Sequence, residues 1–385
     1  MAPLRLALIG LSKSGSAWAA TAHHPYLLSA PSKYTITGLL NSSLASSQKA
    51  VQDFSLPAST AAYGSPDDLG REFDRYDVIV CSVRVDKHYP SLMPVLRAME
   101  GGKGRGKMVH CEWPLGRNLQ EAKELLVAAE EAGVRTMISL QGRYEPAVLK
   151  VKEIVESGRI GKVLSSDFIG AGGLGGGREN SNMKWITTRD LGGNLFTIFF
   201  GHTMDFVLHA LGGELESYNS LIDTKRPKVE IFDKSLGEVV ETVDTKVPDQ
   251  ILVQGHLTTG AILSFHLRGG ASFPSGPKLL WRVYGEKGEI QITGPQAVLN
   301  VGAPTTLELH DHATGEIENI TVEEPFESLS MYARNIGRMY EALANGDDSK
   351  IIDWKEATKH HALIDEIYER EKAGQSQKAK YVSAV

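Results

Sequence analysis

The chain has 385 residues, more than one ordinary hydrophobic core accommodates, so we expect two domains with a cleft between them. Hydrophobic residues make up 42% and charged residues 23%, which is typical of globular proteins and argues against disorder. The net charge of −6, without a cluster of Lys and Arg, argues against direct nucleic-acid binding. The apolar runs are too short to span a membrane, so we expect a cytoplasmic protein that does not contact membranes.

Residues 1–140 alternate short aliphatic runs with amphipathic stretches, the order that builds a parallel sheet covered by helices. The predicted strands are Leu4–Ile9, Tyr34–Leu40, Val78–Val83, Lys107–Cys111 and Arg135–Ser139. The predicted helices between them are Leu44–Asp53, Tyr89–Met99 and Leu119–Ala132. Cys81 and Cys111 fall inside predicted strands, so we expect buried free thiols. The pattern predicts a Rossmann dinucleotide-binding domain.

Residues 141–372 predict a second, α+β domain for substrate binding and oligomerisation. It begins with a helix over Ala147–Ser157 and ends with a helix over Trp354–Lys372. Between these helices, alternating segments predict a large, open, mostly antiparallel sheet with one exposed face: Ile251–Leu257, Ala261–Leu267, Leu279–Tyr284 and Glu289–Ile292. The polar residues 373–385 are expected to form a mobile tail.

The segment Ile9–Trp18 has the features of a phosphate-binding loop. It follows the first predicted strand, precedes a helix and reads G-x-S-x-x-G, with Gly10 and Gly15 at the two outer positions. Ser12 stands where the Rossmann pattern has its central glycine, and its hydroxyl is able to donate to a phosphate. We therefore expect the loop residues to bind a nucleotide: Gly10, Ser12, Lys13, Ser14 and Gly15.

The end of the second strand bears on cofactor choice. An acidic residue there normally holds the ribose hydroxyls of NAD, but this chain has Asn41, Ser42 and Ser43. Without a carboxylate to repel a 2′-phosphate, NADP is preferred over NAD. In the alternative interpretation, Asn41 and Ser42 cap the helix that starts near Leu44.

Four segments carry a family resemblance: Val83–His88, Glu112–Leu115, Arg143–Pro146 and Gly201–Asp205. They resemble the glucose-fructose oxidoreductase, inositol dehydrogenase and rhizopine-catabolism family, and the resemblance covers nearly the whole chain. Three further segments, His110–Trp113, Ile138–Arg143 and Val247–Asp249, look like the Gal80 branch of that family. That branch combines a nucleotide-binding repressor that is not an enzyme with related oxidoreductases.

The resemblance implies a site with two catalytic groups missing. The family's dehydrogenases have Glu-Lys-Pro after the fourth strand, and the lysine exchanges a proton with the substrate; the matching residue here is Trp113, which cannot titrate usefully. The family's aspartate, about four residues before a histidine, is also absent from Thr197–His202. Trp113 either lines the site and stacks on a flat ligand, which we favour, or fills the space of the lysine.

The remaining candidate residues are as follows. His202 is suited to proton exchange, and Asp205, one helical turn on, is placed to orient it, although a structural histidine is the alternative. Tyr144 and Lys184 are weaker catalytic candidates. The expected cofactor contacts beyond the loop are Val83, His88, Glu112, Trp113 and Arg143, and the expected substrate contacts are Trp113, Trp185, His202 and Asp205. The histidines lack metal-ligand spacing, so no metal is expected.

These features support an NADP-dependent oxidoreductase, with NAD as the alternative cofactor, acting on a sugar, polyol or other small carbonyl or hydroxyl compound. The main alternative is an NADP-sensing transcriptional regulator without turnover, whose partner is a transcription factor and which also enters the nucleus. A lower alternative is an isomerase or lyase on the same scaffold. A homodimer or tetramer is expected in each case.

Overall fold

A computed structural model of the chain describes residues 2–13 and 17–374. Within these ranges, no helix is both long enough and apolar enough to cross a membrane. The predicted loop residues Ser14 and Gly15 and residues 375–385 of the predicted tail lie outside the described residues.

The first domain is a six-stranded parallel sheet. Its strands are β1 (Leu4–Ile9), β2 (Tyr34–Leu40), β3 (Ala61–Tyr63), β4 (Val78–Cys81), β5 (Met108–Glu112) and β6 (Arg135–Ser139). Their order in the sheet is β3-β2-β1-β4-β5-β6, so the strand order reverses between β1 and β4. A crevice outside the carboxyl ends of the strands forms at such a reversal, and it is where Rossmann folds bind dinucleotides. The predicted Rossmann domain is confirmed; the three-residue edge strand β3 was not predicted.

Helices cover the sheet. A π-helical turn at Ala19–His23 runs into α1 (His24–Ser29), and the others are α2 (Leu44–Asp53), α3 (Pro66–Arg71), α4 (His88–Ala98), α5 (Leu119–Ala132) and α6 (Pro146–Glu156). Asn118 caps the start of α5, and Gly133 ends it with a φ of 67°. Cys81 and Cys111 are buried free thiols on neighbouring strands, as predicted.

The second domain has a small sheet and a large one. The three-stranded sheet contains β8 (Arg178–Asn180), β10 (Lys228–Asp233) and β11 (Glu238–Asp244). The eight-stranded sheet contains β7 (Val163–Ala171), β9 (Leu215–Asp223), β12 (Gln250–Leu257), β13 (Ile262–Arg268), β14 (Leu279–Gly285), β15 (Gly288–Gly294), β16 (Thr306–Asp311) and β17 (Ile317–Asn319). Only the β7–β13 pair of the large sheet is parallel, which confirms the mostly antiparallel prediction.

One face of the large sheet packs on α7 (Gly201–Leu211). The Phe206 ring of α7 lies 5.8 Å from Trp281 and 6.1 Å from Phe168 of the sheet, measured between ring centroids. This aromatic layer fixes α7, which carries His202 and Asp205, between the sheet and the first domain. The opposite face of the sheet is open, as expected.

The last two helices, α8 (Met331–Ala344) and α9 (Trp354–Lys372), return to the first domain. The Tyr34 hydroxyl donates to the Tyr340 carbonyl, and the Trp354 indole donates to the Met137 carbonyl at 3.0 Å. Helix α9 also contacts α7 and β9 of the second domain. Residues 331–372 therefore pack with both domains, whereas the sequence assigned them to the second alone.

Candidate functional site at the strand ends

Gly10 shapes the turn at the carboxyl end of β1. Its φ is +104°, and a Cβ at this position would lie 2.5 Å from the Ser82 carbonyl oxygen, directly after β4. Only glycine permits this close approach where the strand order reverses. The neighbouring Lys13 is exposed, and its ammonium lies 5.5 Å from the Phe54 ring centroid.

Buried polar atoms at the strand ends fit a polar ligand. The Ser82 hydroxyl, which follows β4, and the Gln141 side-chain oxygen, which follows β6, are buried without a hydrogen-bond partner among the described residues. The indole nitrogen of Trp18, directly before the π turn, is in the same condition. Buried polar groups normally have partners. Ser82 and Gln141 follow strands that end at the same edge of the sheet as Gly10. Trp18 and Gln141 fall within the predicted segments Ile9–Trp18 and Ile138–Arg143, whereas Ser82 lies in none of them.

The residues after β2 hold the loop and the next helix. The Asn41 amide donates to the Leu11 carbonyl at 2.9 Å, while the Ser43 hydroxyl accepts the Ser46 N–H at 3.1 Å and caps α2. Ser42 is exposed. The capping interpretation therefore applies to Ser43, and not to Asn41 and Ser42.

The buried His88 side chain contacts the backbone of two segments beside the crevice. One ring nitrogen lies 2.9 Å from the Pro114 carbonyl oxygen and the other lies 3.0 Å from the Val83 carbonyl oxygen. Only 1% of the residue is exposed, and burial lowers the pKa of the imidazole. Both nitrogens face protein carbonyl groups, and the cofactor contact expected of His88 stays a prediction. The half-buried Val83 lies beside Gly10 at the crevice.

Glu112 and Trp113 face into the protein. The Glu112 carboxylate lies 2.8 Å from His23 Nε2 and accepts a hydrogen bond from the Ser139 hydroxyl. The Trp113 indole donates to the Thr197 carbonyl at 2.9 Å, and a Cβ on Gly201 would lie 2.5 Å from the indole ring. Trp113 is 5% exposed. These contacts fit the space-filling interpretation of Trp113, and the ligand contacts expected of Glu112 and Trp113 stay predictions.

Asp205 does not pair with His202. Its carboxylate receives hydrogen bonds from the Arg143 guanidinium, at 2.9 Å from Nε and 2.6 Å from Nη2, and lies 2.8 Å from His360 Nε2. Burial acts to raise the pKa of Asp205, but the positive charge of Arg143 and the His360 hydrogen bond hold it well below its usual range. Arg143 also donates to Glu356 at 2.9 Å. Arg143 and Asp205 therefore anchor the domain junction; they also line a cavity with Glu356 and His360, and their expected cofactor and substrate contacts stay predictions.

His202 is isolated near this anchor. It is 4% exposed, and its Nδ1 has no hydrogen-bond partner among the described residues. Burial lowers the pKa of the imidazole to about 4, so the ring is neutral at pH 7.

The other predicted site residues are engaged elsewhere. The Tyr144 hydroxyl donates to the Lys350 carbonyl, and burial raises the phenol pKa. The Lys184 ammonium is exposed and lies 2.7 Å from Glu241 of β11. The half-buried Trp185 packs against Gly193, which also approaches Val85 after β4. Tyr144 and Lys184 therefore do not join His202 as acid–base groups.

Folding brings together two sets of metal-ligand atoms that sequence spacing does not reveal. In each set the atoms lie within 4.8 Å of one another: Cys81, His88 and Cys111, and Asp205, Glu356 and His360. His88 already faces two carbonyl groups, and Arg143 already binds Asp205 and Glu356. Both sets are thus part of the internal hydrogen bonding.

Comparison with known proteins identifies relatives of both parts of the chain. The model of an oxidoreductase family with an NAD-binding Rossmann fold matches residues 4–140, and the model of the Gal80p C-terminal domain matches residues 146–294. The galactose/lactose metabolism regulatory protein GAL80 of Saccharomyces cerevisiae is 31% identical over 76% of this chain and 67% of its own length. The dehydrogenase aclE of Aspergillus oryzae is 27% identical over 98% of this chain and 99% of its own.

The structure of a super-repressor mutant of Gal80p from Saccharomyces cerevisiae superposes with a TM-score of 0.87 at 25% identity, covering 97% of both chains. The chain belongs to the glucose-fructose oxidoreductase, inositol dehydrogenase and rhizopine-catabolism family. Within this family it lies in the Gal80-like branch, as the resemblance predicted.

Proposed function

We propose that the chain binds a nicotinamide dinucleotide in the crevice at the strand ends and acts as a dinucleotide-responsive regulator. The observation that carries this proposal is the state of Trp113, which matches the catalytic lysine of the family's dehydrogenases. Its indole is buried, donates to Thr197 and has no proton to exchange near neutral pH. On this view the site still binds the dinucleotide but has lost the group that exchanges a proton with a substrate.

The state of His202 supports the same proposal. With a pKa of about 4, roughly one imidazole in a thousand is protonated at pH 7, so His202 is a poor general acid. As a regulator, the chain would change its affinity for a partner protein, such as a transcription factor, with dinucleotide occupancy. This role places it in the cytoplasm and the nucleus.

A second candidate is a cytoplasmic NADP-dependent oxidoreductase acting on a sugar, polyol or other small carbonyl compound. It is favoured by the relative named as a dehydrogenase, which matches over nearly the full length of both chains. In this case the neutral His202, whose Nδ1 lacks a partner among the described residues, is the base.

We further propose that NADP is preferred over NAD. The segment after β2 has Asn41, Ser42 and Ser43 and no carboxylate, so nothing there repels a 2′-phosphate. Parallel titrations with NADPH and NADH test this preference, which predicts the lower dissociation constant for NADPH.

The experiment that separates the two functions combines binding and turnover. Purified protein is titrated with NADPH, then incubated with NADPH and a panel of sugars and small carbonyl compounds while nicotinamide absorbance is followed. The regulator proposal predicts saturable binding and no loss of absorbance. Turnover of any compound, abolished by His202→Ala, would establish the oxidoreductase instead.

Trp113→Lys sharpens this experiment, with Trp113→Phe as its control. If the chain is a silenced dehydrogenase, the lysine variant supplied with NADP⁺ oxidises sugar alcohols and forms NADPH, and the phenylalanine variant does not. Absence of oxidation in a folded, NADPH-binding Trp113→Lys would show that more than this residue separates the site from a dehydrogenase.

We also propose that the open sheet face mediates a homodimer. A row of mostly apolar side chains crosses five neighbouring strands on this face: Leu221, Leu252, His266, Ile169 and Leu280. Ile169 is 49% exposed at the centre of the row. Because monomers rarely leave such patches uncovered, Ile169→Asp should shift the sedimentation of the protein to the monomer. Leu236→Asp, on an exposed turn elsewhere, is the control.

A further inference from the structure

A chain of buried hydrogen bonds runs below the crevice. We call it the Glu112 network, and its members are Tyr340, His23, Glu112, Ser139 and His110. His23 Nδ1 lies 2.8 Å from the Tyr340 hydroxyl, and His23 Nε2 lies 2.8 Å from Glu112 Oε1. Ser139 donates to the same carboxylate oxygen, and His110 Nε2 lies 2.8 Å from the Ser139 hydroxyl. The network links the helix after the phosphate loop to the ends of β5 and β6 and to α8.

One member of the network, His23, lies close to the phosphate loop in the chain. His23 is fully buried and is the last residue of the π turn Ala19–His23. The N–H groups of Ala20 and Thr21 donate to the Ala17 carbonyl, so this turn starts directly after the loop. Single π turns inside helices recur at functional sites. A ligand bound at the loop therefore acts on the turn that positions His23.

Another member, Glu112, adjoins the domain junction. Glu112 is the last residue of β5 and directly precedes Trp113. The Trp113 indole contacts the second domain by donating to Thr197 and packing on Gly201. A displacement of Glu112 is therefore passed on to Thr197 through one rigid side chain.

The charge of Glu112 makes the link stiff. Burial acts to raise its pKa, but the hydrogen bond and charge of His23 outweigh this effect and lower it, so the carboxylate is ionised. A buried ionised carboxylate depends on its few donors. Its position therefore follows that of His23 and Ser139.

We propose that His23 and Glu112 are positioning residues that couple dinucleotide binding at the phosphate loop to the Trp113–Thr197 contact between the domains. This inference rests on the proposed dinucleotide binding and adds its regulation. Since spatial continuity alone does not establish coupling, the test measures the response at the far end of the path.

The test is backbone hydrogen exchange with and without saturating NADPH, read at residues 17–23 and at residues 194–201. In the unaltered chain NADPH slows exchange in both segments, by at least about fivefold in the second, the lower range of measured coupling. In His23→Leu, saturated with NADPH, we expect protection of residues 17–23 to remain and protection of residues 194–201 to fall below about twofold.

Ser139→Ala is the matched control. It removes the other donor to the same carboxylate but leaves the His23 contact, so it should keep the protection of residues 194–201. If His23 only fills space and supplies hydrogen bonds in the core, His23→Leu and Ser139→Ala should have the same effect on the protection of residues 194–201. That outcome would overturn the proposal. Glu112→Gln provides the same test should His23→Leu not fold: retained protection of residues 194–201 contradicts the coupling, and lost protection supports it.

The proposed function and this inference fail in different ways. If the unaltered chain binds neither NADPH nor NADH, the proposed function falls and the coupling with it. If it binds NADPH and residues 17–23 are protected while residues 194–201 are unchanged, only the coupling is wrong.

Discussion

Two buried carboxylates are linked to Trp113, and their surroundings differ: Glu112 directly precedes it, and Asp205 contacts His360, whose ring centroid lies 6.0 Å from that of Trp113. Glu112 is held by an imidazole and a hydroxyl, His23 and Ser139, both from the first domain. Asp205 is held by the Arg143 guanidinium through two nitrogens and by His360 of α9. The first arrangement joins neighbouring parts of one domain, whereas the second joins α7 of the second domain to segments packed on the first.

The difference indicates a division of roles. A two-nitrogen guanidinium–carboxylate contact is among the strongest polar interactions and has a fixed geometry, so the Asp205 cluster is a rigid anchor. The members of the Glu112 network are joined by single hydrogen bonds, and one of them, His23, follows the phosphate loop closely in the chain. The network is therefore the part able to respond to a ligand. Variants that separate these roles follow, from the largest expected effect to the smallest.

Asp205→Ala should have the largest effect on stability. It leaves the Arg143 guanidinium, whose side chain is 19% exposed, without its principal partner, and breaking a buried pair in this way costs about 3–5 kcal/mol. Urea unfolding measures this loss. Glu241→Ala, which breaks the exposed contact with Lys184, is the control and should cost no more than about 1 kcal/mol. A comparable small loss for Asp205→Ala would contradict the anchor role.

The network should contribute a pH-dependent part of the stability. Because folding lowers the pKa of Glu112, its ionised form stabilises the native state above the unfolded pKa of about 4.3. That contribution is lost as the pH falls from there toward the folded pKa. The difference in unfolding free energy between the native chain and Glu112→Gln should therefore be larger at pH 7 than at pH 3. An equal difference at both pH values would argue against an ionised Glu112.

Trp113→Phe should have the smallest effect of the three. The substitution keeps an aromatic ring but leaves the Thr197 carbonyl without its donor, which costs about 1–3 kcal/mol. Trp185→Phe, at a half-buried position, should cost less. Thermal unfolding measures the loss of stability in both variants. A larger loss for Trp185→Phe than for Trp113→Phe would show that the Trp113 contact is dispensable.

Much of the fold was readable from the sequence. The buried aliphatic runs predicted β1, β2 and β6 with their observed bounds, because strands covered on both faces have no polar alternation to blur their ends. The edge strand β3 was not predicted, because three residues are too few to show a hydrophobic pattern. The helix α9 was predicted with its observed bounds, whereas α8 was not predicted, and local periodicity does not report what either helix packs on.

The site was less predictable. Gly10 was found because its backbone requirement is local. The partner of Asp205 was missed because helical spacing pointed to His202, while Arg143 and His360 lie 62 and 155 residues away in the chain. Ser82 lies in no motif, although its place directly after β4 is a usable signal, and Gln141, two residues after β6, was part of the segment Ile138–Arg143 but was not singled out. Long-range pairing of charged groups is set by topology, which one sequence does not show.

The most direct test of the central claim is equilibrium binding of NADPH to the native chain, to Gly10→Ala and to Gly101→Ala. Both glycines have positive φ, but a Cβ at Gly10 meets the Ser82 backbone, whereas a Cβ at Gly101 has nothing within 4 Å. We predict saturable binding by the native chain and Gly101→Ala, and at least about tenfold weaker binding by Gly10→Ala. No binding by the native chain, or equal binding by all three, would contradict a dinucleotide site at this turn.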